Sequence, residues 1–294
     1  MTIIDEITRI IRRRQQRGGR TAWLSPQNRA VLGMRPAPAA PTRAMASPPA
    51  TVIPAVIPAV IPAVIPAVAT AGAPVRQTLG QSVNLPSALP NFPAPPDVRG
   101  AGWDELVSAC RACQCCPLAA GRRSIVIEDG CRTAPLMFIG EGPGADEDAQ
   151  GVPFVGRAGQ LLTRMIAAMG RDRTSMDPAH AAYIANIVKC RPPGNRIPVP
   201  EEAGPCLGYL KRQIALVKPR VIVVLGASAL TYLCQKRGIT FWRGKWLEYE
   251  GIPVMPTFHP AYVLRFERIP GQFKETKLKV WDDLKQVMAR LAAQ

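Results

Sequence analysis

Four short runs of apolar residues recur along the C-terminal two thirds of the chain, and segments with apolar residues at helical spacing separate them. The runs are Leu136–Ile139, Tyr183–Val188, Val221–Leu225 and Ile252–Pro256. Each run has the length of a buried strand, and strands that alternate with helices are typical of parallel βαβ units. The pattern therefore predicts an α/β domain in which helices cover both faces of a parallel sheet.

The predicted helices lie between and around these runs. The first runs from Trp103 to Cys110, the next three occupy residues 158–169, about 201–217 and 227–237, and a last amphipathic helix carries Leu278 to Leu291. The folded domain is expected to span residues 101–294.

The first hundred residues have a different pattern. Residues 1–35 are basic and begin with a short amphipathic helix, which we expect to dock onto a protein partner or onto DNA. Residues 36–100 form a Pro/Ala-rich low-complexity linker, in which Val-Ile-Pro-Ala repeats four times over residues 52–67. Each proline would cost a helix about 3 kcal/mol. We therefore expect a disordered, polyproline-like tether here and no membrane span.

The net charge of +16 divides equally between these two regions. Residues 1–100 hold 11 basic and 3 acidic residues, and residues 101–294 hold 26 and 18, which is a net +8 in each. Such a basic chain favours nucleic acid as a partner. The N-terminus lacks the apolar segment of a secretory signal, and all eight cysteines lie at or after Cys110. We expect a cytoplasmic protein whose cysteines bind metal or take part in chemistry.

Polar motifs follow the carboxyl ends of the predicted strands. They are a glycine-rich segment at 140–160, then Asn186 with Lys189–Arg191, and Thr257–Pro260. Because ligands of open α/β sheets bind at this edge, we expect one site there. The 140–160 segment is predicted to be one long loop, with four carboxylates and Phe154. It matches neither a Walker loop nor the dinucleotide pattern, and a flat ligand such as a nucleobase suits it better than a phosphate.

Six of the eight cysteines have a spacing typical of metal ligands. Four are crowded between Cys110 and Cys116, and Cys190 and Cys206 frame a proline-rich loop. A Cys-x-x-Cys pair with two distant cysteines suits an iron–sulfur cluster or a zinc ion, and the spacing does not choose between them. The other two cysteines are expected to be ordinary apolar thiols.

Three segments together resemble one family. GEGPGADEDAQGVPFVGRAGQLL, NIVKCRPPGNR and TFHPAYVLR are similar to the motifs of the family-4 uracil-DNA glycosylases, the iron–sulfur branch of the uracil-DNA glycosylase superfamily. The likeness covers about residues 105–292. It implies a three-layer α/β/α domain with a four-stranded parallel sheet. It also implies a monomeric DNA-repair hydrolase that flips uracil out of single- or double-stranded DNA and leaves an abasic site.

The resemblance further implies a structural [4Fe–4S] cluster near the DNA surface. The implied ligands are Cys113, Cys116, Cys190 and Cys206. Pro117–Leu118 directly follow the second ligand, as in the family's motif, which favours this assignment. Cys110 and Cys115 remain alternatives.

Roles in base recognition also come from the resemblance. Phe154 would stack on the flipped base, and Asn186 would read its Watson–Crick edge. His259 would be the neutral donor to O2 of the uracil anion as it leaves.

The resemblance implies further roles around the sugar and along the DNA. Glu141 and Glu147 would position the attacking water and favour the positive sugar, and the Gly142 N–H would bind the base. The implied DNA-binding residues are Arg191, Arg196 and Arg265, which would contact phosphates, and Leu264, a wedge in the loop after the catalytic histidine.

Two other hypotheses compete with turnover. Some relatives trap uracil-DNA covalently through a histidine in an inserted basic loop, but residues 157–169 have an ordinary helical pattern without such an insertion. The other hypothesis is a non-enzymatic DNA-binding module that the N-terminal tail tethers to replication or repair partners. A turnover assay separates both from an enzyme.

Overall fold

A six-stranded sheet forms the centre of residues 91–293, the part of the chain that the structure, a computed structural model, describes. In chain order its strands are β1 (Asp129–Gly130), β2 (Leu136–Gly140), β3 (Tyr183–Asn186), β4 (Val221–Leu225), β5 (Leu247–Tyr249) and β6 (Ile252–Thr257). Their spatial order is β1-β3-β2-β4-β6-β5. The four central strands are parallel, whereas β1 and β5 pair antiparallel with β3 and β6.

The central strands confirm the predicted parallel sheet, but the strand count of four is wrong. The two missed strands have two and three residues, which is too short for an apolar period to be visible in the sequence. The second predicted strand also ends earlier than expected, at Asn186. The sheet is therefore mixed, with a parallel centre and antiparallel edges.

Nine α-helices surround the sheet within the described range. They are α1 (Trp103–Ala112), α2 (Leu118–Gly121), α3 (Ala145–Gln150), α4 (Arg157–Ala168), α5 (Pro200–Val217), α6 (Gly226–Cys234), α7 (Ile239–Trp242), α8 (Pro260–Leu264) and α9 (Pro270–Ala292). The five longer predicted helices are confirmed as α1, α4, α5, α6 and α9. The 140–160 segment is not one long loop, because α3 interrupts it. Leu264 ends α8 and does not lie in a loop.

Alternate residues of the strands pack on opposite faces of the sheet. In β2, Met137 and Ile139 join an apolar cluster with residues of α1, α5 and α6. Leu136 and Phe138 join a second cluster with residues of α4, α8 and α9. This alternation is what a pleated strand buried on both faces requires, and it confirms the three-layer α/β/α arrangement.

The packed domain includes residues before the first helix. Val98 is buried, the Ala101 N–H donates to the Val98 carbonyl at 3.1 Å, and Arg212 Nε donates to the Ala101 carbonyl at 2.5 Å. The predictions for residues 1–35, and for the linker up to residue 90, lie outside the described residues. Among residues 91–293, no helix is long and apolar enough to cross a membrane.

These contacts predict where the domain can be cut. We expect a chain that starts at Asn91 to unfold at the same temperature as one that starts a few residues earlier. A chain that starts at Gly102 loses the burial of Val98 and the bond to Arg212. Its free energy of unfolding should fall by about 2 kcal/mol. Thermal unfolding of the chains that start at Asn91 and at Gly102 measures the difference in stability between them. Equal stability of these two chains would show that residues 91–101 are dispensable.

Candidate active site and cysteine pocket

The polar motifs meet at the carboxyl edge of the sheet. In the parallel ladder of β2 and β3, Gly140 stands opposite Asn186, and in that of β4 and β6, Leu225 stands opposite Thr257. The chain continues from Gly140, Asn186 and Thr257 into the predicted site segments, whereas Leu225 leads into α6. A β carbon on Gly140 would lie 2.5 Å from Asn186 Oδ1 and 2.5 Å from the Phe154 ring. The glycine thus leaves room for an amide and an aromatic ring side by side.

Phe154 has a strained backbone. Its φ is 55°, in the left-handed region that a bulky residue rarely adopts, and such strain costs on the order of 1–3 kcal/mol. The side chain is buried, and its ring centroid lies 5.6 Å from that of His259, with the ring planes 31° apart. Strain that persists in this way must be maintained by neighbouring contacts, and it is commonly found where a ligand is bound.

Arg173 holds the backbone at this strained position. Its guanidinium donates to the carbonyl oxygens of Phe154 and Pro153, both at 2.7 Å, and pairs with Asp129 at 2.7 Å. On the other side, a β carbon on Gly159 would lie 1.9 Å from the Phe154 oxygen, so only glycine fits there. The sequence analysis missed Arg173, because the residue lies in a connection and its partners are set by tertiary structure alone.

Glu147 closes the 140–160 segment on itself. Its carboxylate accepts the N–H groups of Gly144 at 3.0 Å, Val155 at 2.9 Å and Gly156 at 2.9 Å. Both oxygens are therefore engaged with the backbone on either side of α3. In this structure the carboxylate orders the segment that carries Phe154.

Asn186 has a buried oxygen without a partner. The residue is 1% exposed, and its Oδ1 is one of two buried side-chain polar atoms within residues 91–293 that have no hydrogen bond. A buried acceptor left unpaired costs about 1–3 kcal/mol, and such exceptions are uncommon in folded proteins. The atom adjoins the Phe154 ring at the Gly140 position. An orphan acceptor beside an aromatic ring points to a planar ligand with an N–H donor.

A buried lysine supports the strand end that carries this amide. Lys189 Nζ donates to the Asn186 carbonyl at 2.8 Å and to Gln213 Oε1 at 2.6 Å, and the side chain is 1% exposed. Gln213 in turn donates to the Tyr183 hydroxyl at 2.9 Å and to the Ile127 carbonyl at 3.0 Å. Burial lowers the pKa of Lys189, while nearby cysteines act in the opposite direction. Lys189 belongs to a polar motif predicted to lie at this edge of the sheet, but the sequence indicates neither of its hydrogen-bond partners.

His259 is held in one neutral tautomer. Its Nδ1 accepts the Ala261 N–H at 3.1 Å, so the proton of the neutral ring is on Nε2. Burial lowers the pKa of His259 to about 4, and Glu147 opposes this shift while Arg265 adds to it. The ring is therefore neutral at pH 7 and presents Nε2–H as a donor.

Glu141, the residue after β2, is partly buried beside α6. Ser228 donates its hydroxyl proton to Glu141 Oε2 in a short hydrogen bond. Burial raises the pKa of Glu141, and the Ser228 bond and the Arg265 charge act against that rise. No local sequence motif marks Ser228 as a partner of Glu141.

The residues predicted to bind DNA differ in solvent exposure and in whether their side chains already have a partner within the protein. Arg265 is exposed, and Arg191 donates to the side chain of a neighbouring asparagine at 2.7 Å. Arg196 pairs at 2.5 Å with Glu202, whose side chain is 3% exposed. Leu264 is partly buried against the cluster of α4 and α9. Gly142, predicted to bind the base, lies partly buried between the strand end and α3.

A second pocket collects the crowded cysteines. The six that line it are Cys110, Cys113, Cys115, Cys116, Cys190 and Cys206. The same pocket is lined by Lys189 and by Arg122, which donates to Cys190 Sγ at 3.4 Å. Burial raises the pKa of Cys190 and of Cys206, so these groups are thiols here. Cysteine sulfurs beside two cations are the donor set and the compensating charge that suit an iron–sulfur cluster. Because all six thiols line the pocket, Cys110 and Cys115 remain alternatives as ligands.

Within residues 91–293, no group of three or more His, Cys, Asp or Glu side chains is disposed to bind one metal ion.

Comparison with known proteins gives consistent matches. The sequence model of the uracil DNA glycosylase superfamily matches residues 127–285. The Type-4 uracil-DNA glycosylase of Thermotoga maritima is 45% identical over 165 residues, which cover 55% of this chain and 83% of that protein. Those of Pyrobaculum aerophilum and Archaeoglobus fulgidus are 41% and 37% identical over 180 and 186 residues, which cover 58% and 60% of this chain and 89% and 90% of those proteins.

The contacts of Arg173 make its loss costly. Arg173→Ala leaves two buried carbonyls and a partly buried carboxylate without their donor. We expect the free energy of unfolding to fall by about 3 kcal/mol in denaturant titrations. Arg99→Ala is the matched control, because Arg99 pairs with Asp97 in full exposure and its removal should have no measurable effect. Equal effects of the two substitutions would contradict the assignment of Arg173 as the clamp of the Phe154 segment.

Proposed function

The chain belongs to the uracil DNA glycosylase superfamily, among its type-4 members, and on that premise we propose that it removes uracil from DNA by hydrolysing the N-glycosidic bond. The observation that carries the proposal is the unpaired Oδ1 of Asn186, buried beside the Phe154 ring. This oxygen lacks a donor that a flipped uracil can supply. A base inside a duplex cannot reach such a pocket, so the nucleotide must be flipped out.

Asn186 is proposed to read the base. Its Oδ1 accepts from N3–H of uracil, and its Nδ2 donates to O4. In cytosine both groups are reversed, so its N4 donor would face the donor Nδ2 and its N3 acceptor would face the acceptor Oδ1. Buried hydrogen-bonding sites strongly reject such a mismatch. Phe154 stacks on the ring of the base. The supporting observation is that Gly140, between the amide and the ring, has no side chain to block the approach.

His259 is proposed to stabilise the leaving group. Uracil departs as an anion, and the Nε2–H of a neutral imidazole donates to O2 as negative charge develops there. The low pKa of the ring, about 4, supports this role, because a neutral donor keeps its proton and stabilises the anion through a hydrogen bond.

The carboxylates are proposed to have separate roles. Glu141 positions the attacking water and favours the positive charge that develops on the sugar. Glu147 contributes through the backbone that it binds, and the Gly142 N–H contacts the base. Lys189 adjoins the site but is buried and donates to two acceptors, which supports simple hydrolysis over attack by an amine.

A [4Fe–4S] cluster is proposed in the cysteine pocket. Its ligands would be Cys113, Cys116, Cys190 and Cys206, and its thiolate ligation would crosslink the segment after α1, the segment after β3 and α5. Cys110 and Cys115 line the same pocket and are the alternatives.

The enzyme is proposed to act on single- or double-stranded DNA as a monomer. Arg191 and Arg265 contact phosphates. Arg196 lies in the same connection as Arg191, between β3 and α5, and is held there by its ion pair with Glu202. Leu264 enters the gap that the base leaves. The N-terminal segment is proposed to be a basic tether whose first helix docks onto a protein partner or DNA, and residues 101–294, together with the packed Val98, are proposed to form the glycosylase domain.

Incubation with uracil-containing oligonucleotides tests the function directly. The wild-type protein should generate several alkali-labile sites per protein molecule, whereas a covalent trap would stop at one. Asn186→Asp places a carboxylate against uracil O4. We expect a rate loss of at least about 100-fold on uracil, with residual activity shifted towards cytosine. Rates on U- and C-containing single strands measure both effects.

Gln235→Glu is the control for that variant. It makes the same amide-to-carboxylate change at an exposed helix end and should leave the rate unchanged. Undiminished uracil excision by Asn186→Asp would show that another residue reads the base.

Metal content tests the cysteine pocket. Protein purified without oxygen should be brown and contain about four irons per chain. Cys206→Ser should lose iron, whereas Cys234→Ser, a cysteine outside the pocket, should keep it. A colourless protein with one zinc per chain would refute the cluster.

A further inference from the structure

Ser228 lies where the helix after β4 meets the residue after β2. The turn from β4 into α6 passes through Gly226, whose φ of 88° suits glycine, and two residues later Ser228 is 6% exposed. Its hydroxyl donates to Glu141 Oε2. The backbone of Glu141 is itself anchored, because its carbonyl accepts the Val188 N–H at 3.2 Å. The Ser228 bond thus fixes the side chain of Glu141, whose orientation the backbone hydrogen bond does not determine.

We propose that Ser228 is a positioning residue of the glycosylase reaction, which holds Oε2 of Glu141 so that Oε1 faces the sugar and the attacking water. The inference rests on the proposed function and extends it to a residue that touches neither DNA nor base. Serine is common at the N-cap of a helix, but Ser228 is the third residue of α6 and Leu225 is the N-cap. Here the hydroxyl is directed at a carboxylate from another strand, which is a contact between elements.

The hydrogen bond from Ser228 also affects the protonation state of Glu141. A carboxylate that orients water and faces a positive sugar must be ionised, yet burial favours its neutral form. Two groups oppose burial: the Ser228 hydroxyl, from α6, and the Arg265 guanidinium, which follows α8. Tyr232, one turn after Ser228, is a further titratable group nearby: burial raises its pKa first and the charges of Glu201 and Glu141 add to that rise, while its hydroxyl donates to the Pro198 carbonyl at 2.6 Å. Ser228 therefore serves both the orientation and the ionisation of Glu141.

Single-turnover rates of uracil excision between pH 4 and 8 test this role. Ser228→Ala should lower the rate at pH 7 about tenfold. It should also move the midpoint of the acid limb up by about one pH unit, because the lost hydrogen bond favoured the ionised form. Ser228→Thr, which keeps the hydroxyl, should restore both. Thr231→Ala is the control on the same helix, since the Thr231 hydroxyl bonds the Lys236 carbonyl, and it should match the wild type.

The variant Glu141→Gln shows whether the acid limb of the pH–rate profile reports the titration of Glu141. This control is needed because His259 also titrates in the acid range. In a Glu141→Gln background, Ser228→Ala should change neither the rate nor the limb that remains. A rate loss in Ser228→Ala without any shift of the midpoint, or an equal loss in the Gln background, would overturn the proposal.

A measurement without DNA separates this inference from the proposed function. Carbon-13 NMR titration of labelled glutamate side chains, with Glu141→Gln to identify the resonance, gives the pKa of Glu141 directly. Ser228→Ala should raise it by about one unit. An unchanged pKa overturns the inference even if uracil is excised. A wild-type protein that leaves uracil in place overturns the proposed function and the catalytic part of the inference with it, even if the pKa of Glu141 shifts.

Discussion

The parallel register of β2 and β3 is the constraint on which the rest of the site depends. It sets Gly140 beside Asn186, and the missing side chain of the glycine is the space that the amide and the Phe154 ring share. A shift of one residue would turn every side chain of the strand to the other face. The two apolar clusters that hold the helices would be lost with the pocket. The same pairing therefore specifies both the core and the recognition geometry.

The strained backbone at Phe154 shows how the fold supports that geometry. A left-handed aromatic residue is unfavourable by itself, so the surrounding structure must over-determine it. Arg173 binds its carbonyl, Gly159 makes room for the same oxygen, and Glu147 binds the two N–H groups that follow. The ring is thereby set in place before any ligand arrives, and binding does not have to order it.

The sequence predicted the parallel strands and the residues that follow them, because strand patterns and motifs at strand ends are local signals. It supported Asn186 and His259 as site residues for that reason. It missed Arg173, whose partners Phe154, Pro153 and Asp129 lie 19 to 44 positions away in the chain, and Ser228, whose partner lies 87 positions away. It also treated 140–160 as a loop, since the six residues of α3 hold only polar residues and alanine. Contacts between distant segments leave no periodic trace in a single sequence.

Lys189 joins two sites that are otherwise separate in chemistry. Its ammonium binds the carbonyl of Asn186, and its chain neighbour Cys190 faces the cysteine pocket, so three residues are all that separate the amide from the thiol. Asn186 and Cys190, the two ends of this segment, are both buried and hydrogen-bonded, so the segment is held in place at each end. An insertion or deletion here would displace one end or the other. The two sites therefore fix the length of this segment together, and a change of geometry at one of them is transmitted to the other.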